Sequence, residues 1–370
     1  MPLTKFFALP PARTDRGVWE CSTSYLTYLM IEHRLGLHVM FDFLKKEASQ
    51  PFSQSLAPGS GINPSSFDSV GVRSCALSGT LGMLTGQQNL ERLTLSPMAS
   101  ASAGNGNGLL FPYRRWCPSH FYQWEISGVR PYIPLIWRVA AVGYCEEHKC
   151  RLLDQCPHCR SRLRVIPSRL RVDRCDRCGR SLAESHRKNL SAPQEATLEL
   201  DYWICDQVTR VLGAENYGIE QIPGEPVAHF FSQLSFLHGL SLPVLERRVG
   251  ISRYTLMQWA SGRTKPRWTL LLRVLAELSV PFQLMLWSPK LAASQAIIPT
   301  AARVVIESER KKLKRRVHDK QRIRSSVKKL IQSRTGIVYC NRAAEILKIP
   351  KGTLFYLAGD LLRGQRKKRA

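Results

Sequence analysis

Apolar positions in this chain recur at helical rather than strand spacing, in separated blocks. In residues 19–45, Tyr25, Leu26, Leu29, Met30 and His33 fall on one face, which predicts one or two helices with a buried stripe. Residues 195–220 read as a helix and a turn, and 226–288 as a strongly helical block. A highly charged helix is predicted over 301–332, with Leu313, Val317, Ile323, Val327 and Ile331 as its apolar markers, followed by a helical pair over 338–366. Two stretches break the pattern. Ser49 to Ser66 is rich in Ser, Pro and Gly and reads as a loop, and Ser96 to Gly108 reads as a flexible linker. Gly104, Gly106 and Gly108 follow no strand and open no helix, so they do not make a nucleotide-binding loop. No internal repeat is long enough for a solenoid.

The helical blocks are interrupted from Phe111 to about Ser185 by a cysteine-rich region with four short knuckles: Cys117-x2-His120, Cys145-x2-His148, Cys156-x2-Cys159 and Cys175-x2-Cys178. A two-residue gap lets a tight turn aim both side chains at one ion, and two knuckles complete a tetrahedron. The spacing between Cys156/Cys159 and Cys175/Cys178 is that of a zinc ribbon, which leaves Cys117/His120 to join Cys145/His148. The expectation is two structural Zn2+ ions, one held by two cysteines and two histidines and one by four cysteines. Two alternatives stay open: a Cys117/His120/Cys145/Cys150 shell, and a cross-braced pairing of first with third and second with fourth knuckles. Cys21, Cys75, Cys205 and Cys340 lie on apolar periodic stretches and read as core cysteines, and His158 is expected to point outward. Each shell has four candidate ligands, no HExxH or HxE motif lies nearby, and no GxxxxGK[ST] loop occurs. No catalytic residues are assigned, and the chain is not expected to be an enzyme.

Within the helical block, residues 241–278 fit a helix-turn-helix. Leu245 and Val249 face inward on the first helix, Gly250 permits the turn, Ser252 can cap the second helix, and Leu256 and Trp259 pack it back. That arrangement would present Arg253, Tyr254, Gln258, Arg263 and Lys265 to a major groove. A helical hairpin used only for protein contact is the competing reading. A second candidate runs from Ala343–Leu347 through Ile349-Pro350 to Lys351–Leu357, with Lys351 and Thr353 at the start of its second helix. The basic run before it, including Lys311, Lys312, Lys314, Arg315 and Arg316, would touch phosphates without reading bases.

Charge sharpens this picture. The 370-residue chain has a net charge of +26, which points to a polyanionic partner. Residues 301–370 hold 21 Lys/Arg against 5 Asp/Glu, whereas residues 1–100 hold 8 against 7, so that contact is expected near the C-terminus. The N-terminal MPLTKFFALPPARTD has no extended apolar region, and no uninterrupted apolar window of spanning length occurs. A cytoplasmic, DNA-associated bacterial protein with no membrane partner is expected. There, clustered thiols bind metal more often than they form disulfides.

The order of parts resembles the TniQ family of transposon target-selection proteins. The resemblance rests on WECSTSYLTYL near the start, TLSP at 94–97, and RRWCPSH…LIWRVAAVGYCEEHKCRLLDQCPHC. Trp137, Cys145/His148, Cys156/Cys159 and Cys175/Cys178 stand where that family has its tryptophan and later knuckles; His120 replaces its usual second cysteine. The match is specific from about Pro11 to Gly179 and looser beyond. It implies a mainly α fold with small zinc-ribbon β elements: a helical region at 1–110, a tandem zinc module at 111–190, a helical domain with a helix-turn-helix at 191–300, and a basic helix with a second helix-turn-helix at 301–370. It also implies a non-catalytic adaptor. Its partners would be the TnsC AAA+ ATPase, an RNA-guided Cascade-type CRISPR effector with guide RNA, and double-stranded DNA; relatives can also pair as homodimers. A TnsD-like reader of a fixed attachment site is the alternative within the family, and a zinc-ribbon transcription regulator the alternative outside it.

Overall fold

The WECSTSYLTYL stretch folds as helix α1, Ser22–Glu32, and its many small polar residues have a structural task. The N-cap residue Cys21 makes no capping bond through its side chain, so the first turn needs a distant acceptor. Asp68 supplies it: its carboxylate accepts from Ser22 Oγ (3.0 Å), Thr23 N (2.9 Å) and Thr23 Oγ1 (2.9 Å). Arg138 Nε donates to the same carboxylate at 3.0 Å, and Arg138 and Asp68 are both fully buried. Glu20, also fully buried, accepts from Ser24 Oγ at 2.9 Å and from both terminal nitrogens of Arg130. The other two Arg138 nitrogens donate to the Tyr113 carbonyl (2.7 Å) and Ser65 Oγ (3.0 Å), which offsets the cost of burying the Arg138–Asp68 pair.

The structure is a computed structural model and describes residues 4–48, 63–103, 108–183, 195–300, 320–333, 340–347, 354–358 and 360–362. Beyond α1 come α2 (Leu37–Glu47) and α3 (Val72–Thr85), which with short 3-10 turns enclose Tyr25, Leu29, Met40, Leu44, Leu77 and Leu81. The predicted stripe on 19–45 is thus two helices, with Tyr25, Leu26, Leu29 and Met30 buried and His33 half-buried. The described part of the expected linker is not a linker. Ser96–Ala101 is a 3-10 helix, and Met98 and Ala101 lie in the core with Leu95. Small Ser and Ala side chains there permit close packing, which composition alone presents as flexibility. Residues 104–107 lie outside the described part, as do 49–62 of the other expected loop.

After the knuckles come α4 (Pro118–Ser127), whose first turn belongs to one of them, and α5, the single turn Leu135–Arg138. Then follow α6 (Glu195–Leu212), α7 (Pro226–Leu237), α8 (Leu242–Val249), α9 (Thr255–Ala260), α10 (Trp268–Glu277), α11 (Phe282–Trp287) and α12 (Pro289–Gln295). One continuous apolar core joins Leu95, Met98, Trp116, Trp137, Ile204, Phe230, Leu256, Leu271 and Met285. The structure is mainly helical, and the described residues form no sheet; antiparallel contacts around the knuckles are isolated bridges. In place of the ribbon β elements implied by the resemblance there are isolated bridges, one within each of three knuckles and two more joining Arg114 to Leu163 and Trp116 to Leu153.

Two compact units occur, Met1–Ile306 and Glu307–Ala370. The boundaries expected near residues 110 and 190 fall inside the first. In the second, α13 (Lys320–Gln332), α14 (Cys340–Leu347) and helical residues 354–358 and 360–362 enclose Ile323, Val327, Ala343, Leu354, Ala358 and Leu362. Arg324 braces this unit with two bonds to the Asp360 carboxylate, 2.7 and 2.6 Å. No helix among the described residues is long and apolar enough to cross a membrane.

Candidate metal centre and helix-turn-helix surface

Three of the four knuckles share one backbone design. The N–H of the first ligand donates to the carbonyl five residues later: Cys145 to Cys150 (2.8 Å), Cys156 to Ser161 (3.0 Å) and Cys175 to Arg180 (3.0 Å). One antiparallel bridge closes each loop, at Tyr144 and Arg151, Gln155 and Arg162, and Arg174 and Ser181. The residue after the second ligand is left-handed each time, with φ of 51° at Lys149, 55° at Arg160 and 73° at Gly179. This tight turn makes side chains three positions apart converge. The other knuckle uses a helix instead: Cys117 is the N-cap of α4, Pro118 is its first residue, and His120 projects from its first turn.

Cys117, His120, Cys145 and His148 bring their ligand atoms within 4.8 Å of one another. Cys117 Sγ is 3.6 Å from His148 Nδ1, Cys145 Sγ is 3.4 Å from His120 Nδ1 and 3.7 Å from His148 Nδ1, and the two Nδ1 atoms are 3.0 Å apart. A tetrahedral shell of sulfur at about 2.3 Å and nitrogen at about 2.0 Å has edges of roughly 3.3–3.8 Å, so the donors fit one ion with little movement. Hydrogen bonding with Cys117, then His120 and His148, pushes the Cys145 thiol down, while burial pushes Cys117 up. A bound zinc ion would take both sulfurs as thiolates.

Sequence reasoning missed Glu147. His120 Nε2 donates to Glu147 Oε2 at 3.0 Å, and Glu147 Oε1 is 3.9 Å from His148 Nε2. A carboxylate on the outer nitrogen holds the ring with Nδ1 facing inward. Trp124 and Trp137 flank the His120 ring at centroid distances of 5.2 and 5.4 Å. Arg115 fixes the segment that carries Trp137, donating to the carbonyls of Trp137 (2.9 Å), Val139 (2.6 Å) and Val142. Glu147 could have been suspected only as an acid beside a ligand.

The rival ligand Cys150 is close, with Sγ 3.4 Å from Cys117 Sγ. It occupies, however, the position held by Ser161 and Arg180 in the two sister knuckles, outside the ligand pair. His148 holds the ligand position, and its Nδ1 completes the quartet. The cross-braced alternative is not the arrangement found, because first and second knuckles meet each other.

Cys156, Cys159, Cys175 and Cys178 form the second quartet, also within 4.8 Å. Cys156 and Cys178 sulfurs are 3.7 Å apart, and those of Cys159 and Cys175 3.5 Å. Burial pushes Cys156 up to about 12, whereas hydrogen bonding with Ser161 draws Cys159 down to about 6. Cys178 is exposed, which puts this centre at the surface. His158 turns aside and accepts a bond from Arg180 at 3.0 Å. Of the expected core cysteines, Cys21 and Cys205 are buried. Cys75 is exposed, a correction: it lies on the outer side of α3, opposite buried Leu77 and Leu81. The expectation for the Cys340 side chain lies outside what is described.

The predicted helix-turn-helix is α8 and α9, with Leu245, Val249, Leu256 and Trp259 buried and Gly250 left-handed at φ 71°. The cap differs from the expected Ser252. α9 starts after Tyr254, and its free N–H groups are taken by Glu246 from α8: Oε2 accepts from Tyr254 N at 2.9 Å and Oε1 from Leu256 N at 2.8 Å. Glu246 is 2 % exposed, so this bond pair fixes the angle of the turn in a dry setting. Arg253, Tyr254, Gln258 and Arg263 are exposed, with the Arg253 guanidinium 4.7 Å from the Tyr254 ring. Lys265 is already engaged, bonding the Ala99 carbonyl at 3.3 Å and pairing with Glu225 at 3.4 Å. In the second unit α14 matches the first helix of the other candidate, and helical residues 354–358 begin with Leu354 buried. Lys311, Lys312, Lys314, Arg315, Arg316, Lys351 and Thr353 lie outside the described residues, as do Leu313, Val317 and the Ile349-Pro350 turn.

Neither the protein-family models nor the curated proteins searched contain a match to this chain.

Proposed function

We propose that both quartets hold zinc and that this chain is a non-catalytic target-selection adaptor of DNA transposition. It would link an RNA-guided Cascade-type effector, with its guide RNA and double-stranded DNA target, to the TnsC AAA+ ATPase and hence to a transposase. The observation that carries this reading is the succession of two separate four-ligand groups, Cys117/His120/Cys145/His148 and then Cys156/Cys159/Cys175/Cys178. That order is the one the TniQ resemblance implies, with His120 serving as the ligand where the family has a cysteine. Bound zinc supplies a fixed cross-link between knuckles. Both ligand groups are complete with four protein donors, which suits a structural rather than a catalytic ion.

Further support comes from what the resembling segments do. Ser22 and Thr23 are pinned through Asp68 to Arg138, and Thr94 accepts a bond from the buried Tyr217 hydroxyl at 2.6 Å. The quoted motifs therefore build a scaffold, and an adaptor is a scaffold with partner surfaces. A second reading, direct recognition of an attachment site, is favoured by one observation: Arg253, Tyr254, Gln258 and Arg263 stand exposed on the first helix-turn-helix.

A pull-down of purified full-length protein with TnsC and with the candidate Cascade, repeated without guide RNA, tests the proposal. Retention of TnsC together with guide-dependent retention of Cascade supports the adaptor. Retention of TnsC with tight binding to one duplex, far above random DNA at physiological salt, supports the attachment-site reader. Failure to retain TnsC overturns both.

A further inference from the structure

The second quartet sits in an unusual setting. Residues 151–180 contain nine arginines, no lysine and three aspartates. The aspartates are already engaged: Asp154 with Arg162 at 3.9 Å, Asp173 with Arg171 at 2.8 Å, and Asp176 with buried Arg114 at 3.7 Å. Four other arginines surround the exposed side of the cysteine centre. Arg160 follows ligand Cys159 at the left-handed tip of its knuckle, and Arg177 precedes ligand Cys178. Arg180 donates to His158 and Arg177 to Ser161 (3.3 Å), so the fourth knuckle's arginines reach over the third. Arg169 lies against Gly179, where a Cβ would come within 2.8 Å of its Nη1. All four are exposed, and among the described residues none has a carboxylate partner.

We propose that this arginine rim is a docking surface for the phosphate backbone of duplex DNA, formed by residues other than those of the helix-turn-helix. Neutralising the metal centre does not account for the rim: one divalent ion with four thiolates leaves two negative charges, fewer than the four guanidinium groups around it. The use of arginine alone suits phosphate, whose oxygens match the planar fork in pairs. Residues 151–180 contain no Phe, Tyr or Trp, so these knuckles themselves supply none of the aromatic platforms by which proteins hold single strands. Contact through the backbone of a duplex follows, positioning the chain without reading sequence. The inference does not depend on which targeting system the protein serves.

The test is binding of the full-length, metal-loaded protein to a random-sequence DNA duplex by fluorescence anisotropy across a salt series. Replacing Arg160, Arg169, Arg177 and Arg180 together by Ala should weaken binding and reduce the slope of log Kd against log salt by about 3 to 4. The corresponding four Arg→Lys replacements should restore most of that slope, because each keeps its charge. Metal content measured on every variant separates loss of contact from loss of the centre. If the Ala variant keeps its metal and its slope is unchanged, the rim does not bind DNA and the proposal fails, leaving an acidic protein surface as its partner. Equal loss of binding to an RNA duplex of the same sequence, with the DNA slope unaltered, also overturns it. Loss of sequence preference alone in an Arg253→Ala, Gln258→Ala variant would sink the helix-turn-helix reading without touching this one.

Discussion

Glu246 makes a demanding test because a single buried carboxylate holds the turn of the first helix-turn-helix. It accepts from Tyr254 N at 2.9 Å and Leu256 N at 2.8 Å, and no side chain at the N-cap shares the load. A hydrogen bond to a charged group contributes about 1.5 kcal/mol or more, so Glu246→Ala should cost about 3 kcal/mol locally. Glu246→Gln keeps one acceptor and should cost about half of that. With several cooperative regions in one chain a single melting temperature blurs this effect, so amide hydrogen exchange is the better assay. Exchange within Thr255–Ala260 should accelerate about a hundredfold in the Ala variant and about tenfold in the Gln variant, since each 1.4 kcal/mol is tenfold. Exchange in α1 should not change. An Ala variant whose α9 amides exchange within twofold of the parent would refute the capping argument, and a Gln variant as damaging as Ala would point to sterics instead.

Other expectations are as concrete. Arg138→Met leaves Asp68 buried without its cation and should destabilise the first unit by about 3 to 5 kcal/mol in denaturant unfolding; replacing Asp68 as well should recover part of the loss. Glu147→Gln should weaken the first metal site about 10- to 100-fold in chelator competition while stoichiometry at saturation is unchanged. Cys150→Ser should retain both ions, whereas His148→Ala should lose or weaken the first; the reverse pattern would assign Cys150 as the ligand.

The ligand groups were legible in the sequence because a two-residue gap has a local cause: one tight turn, or one helix start at Cys117-Pro118, fixes both side chains. Helix positions were legible for a similar reason, as the buried face of α8, with Leu245 and Val249, follows from spacing within the helix, whereas α1 buries Ser22, Thr23, Ser24 and Thr27 along with its apolar stripe. What escaped depends on partners far along the chain. Asp68 caps α1 from 45 residues away, Glu246 displaces Ser252 as the cap of α9, and Glu147 acts through a histidine on another element. The Ser96–Ala101 turn has the composition of a linker because small residues serve close packing as well as flexible linkers. The arginine rim was visible in composition, but only the folded knuckles bring Arg160, Arg177 and Arg180 around one centre.

The central claim is that two independent four-ligand zinc centres hold this scaffold in shape, and elemental analysis of the purified protein tests it most directly. The account predicts two zinc ions per chain, with one remaining in a Cys156→Ser variant whose first centre stays intact. One ion or none in well-folded parent protein, or a Cys156→Ser variant that still binds two, would contradict it.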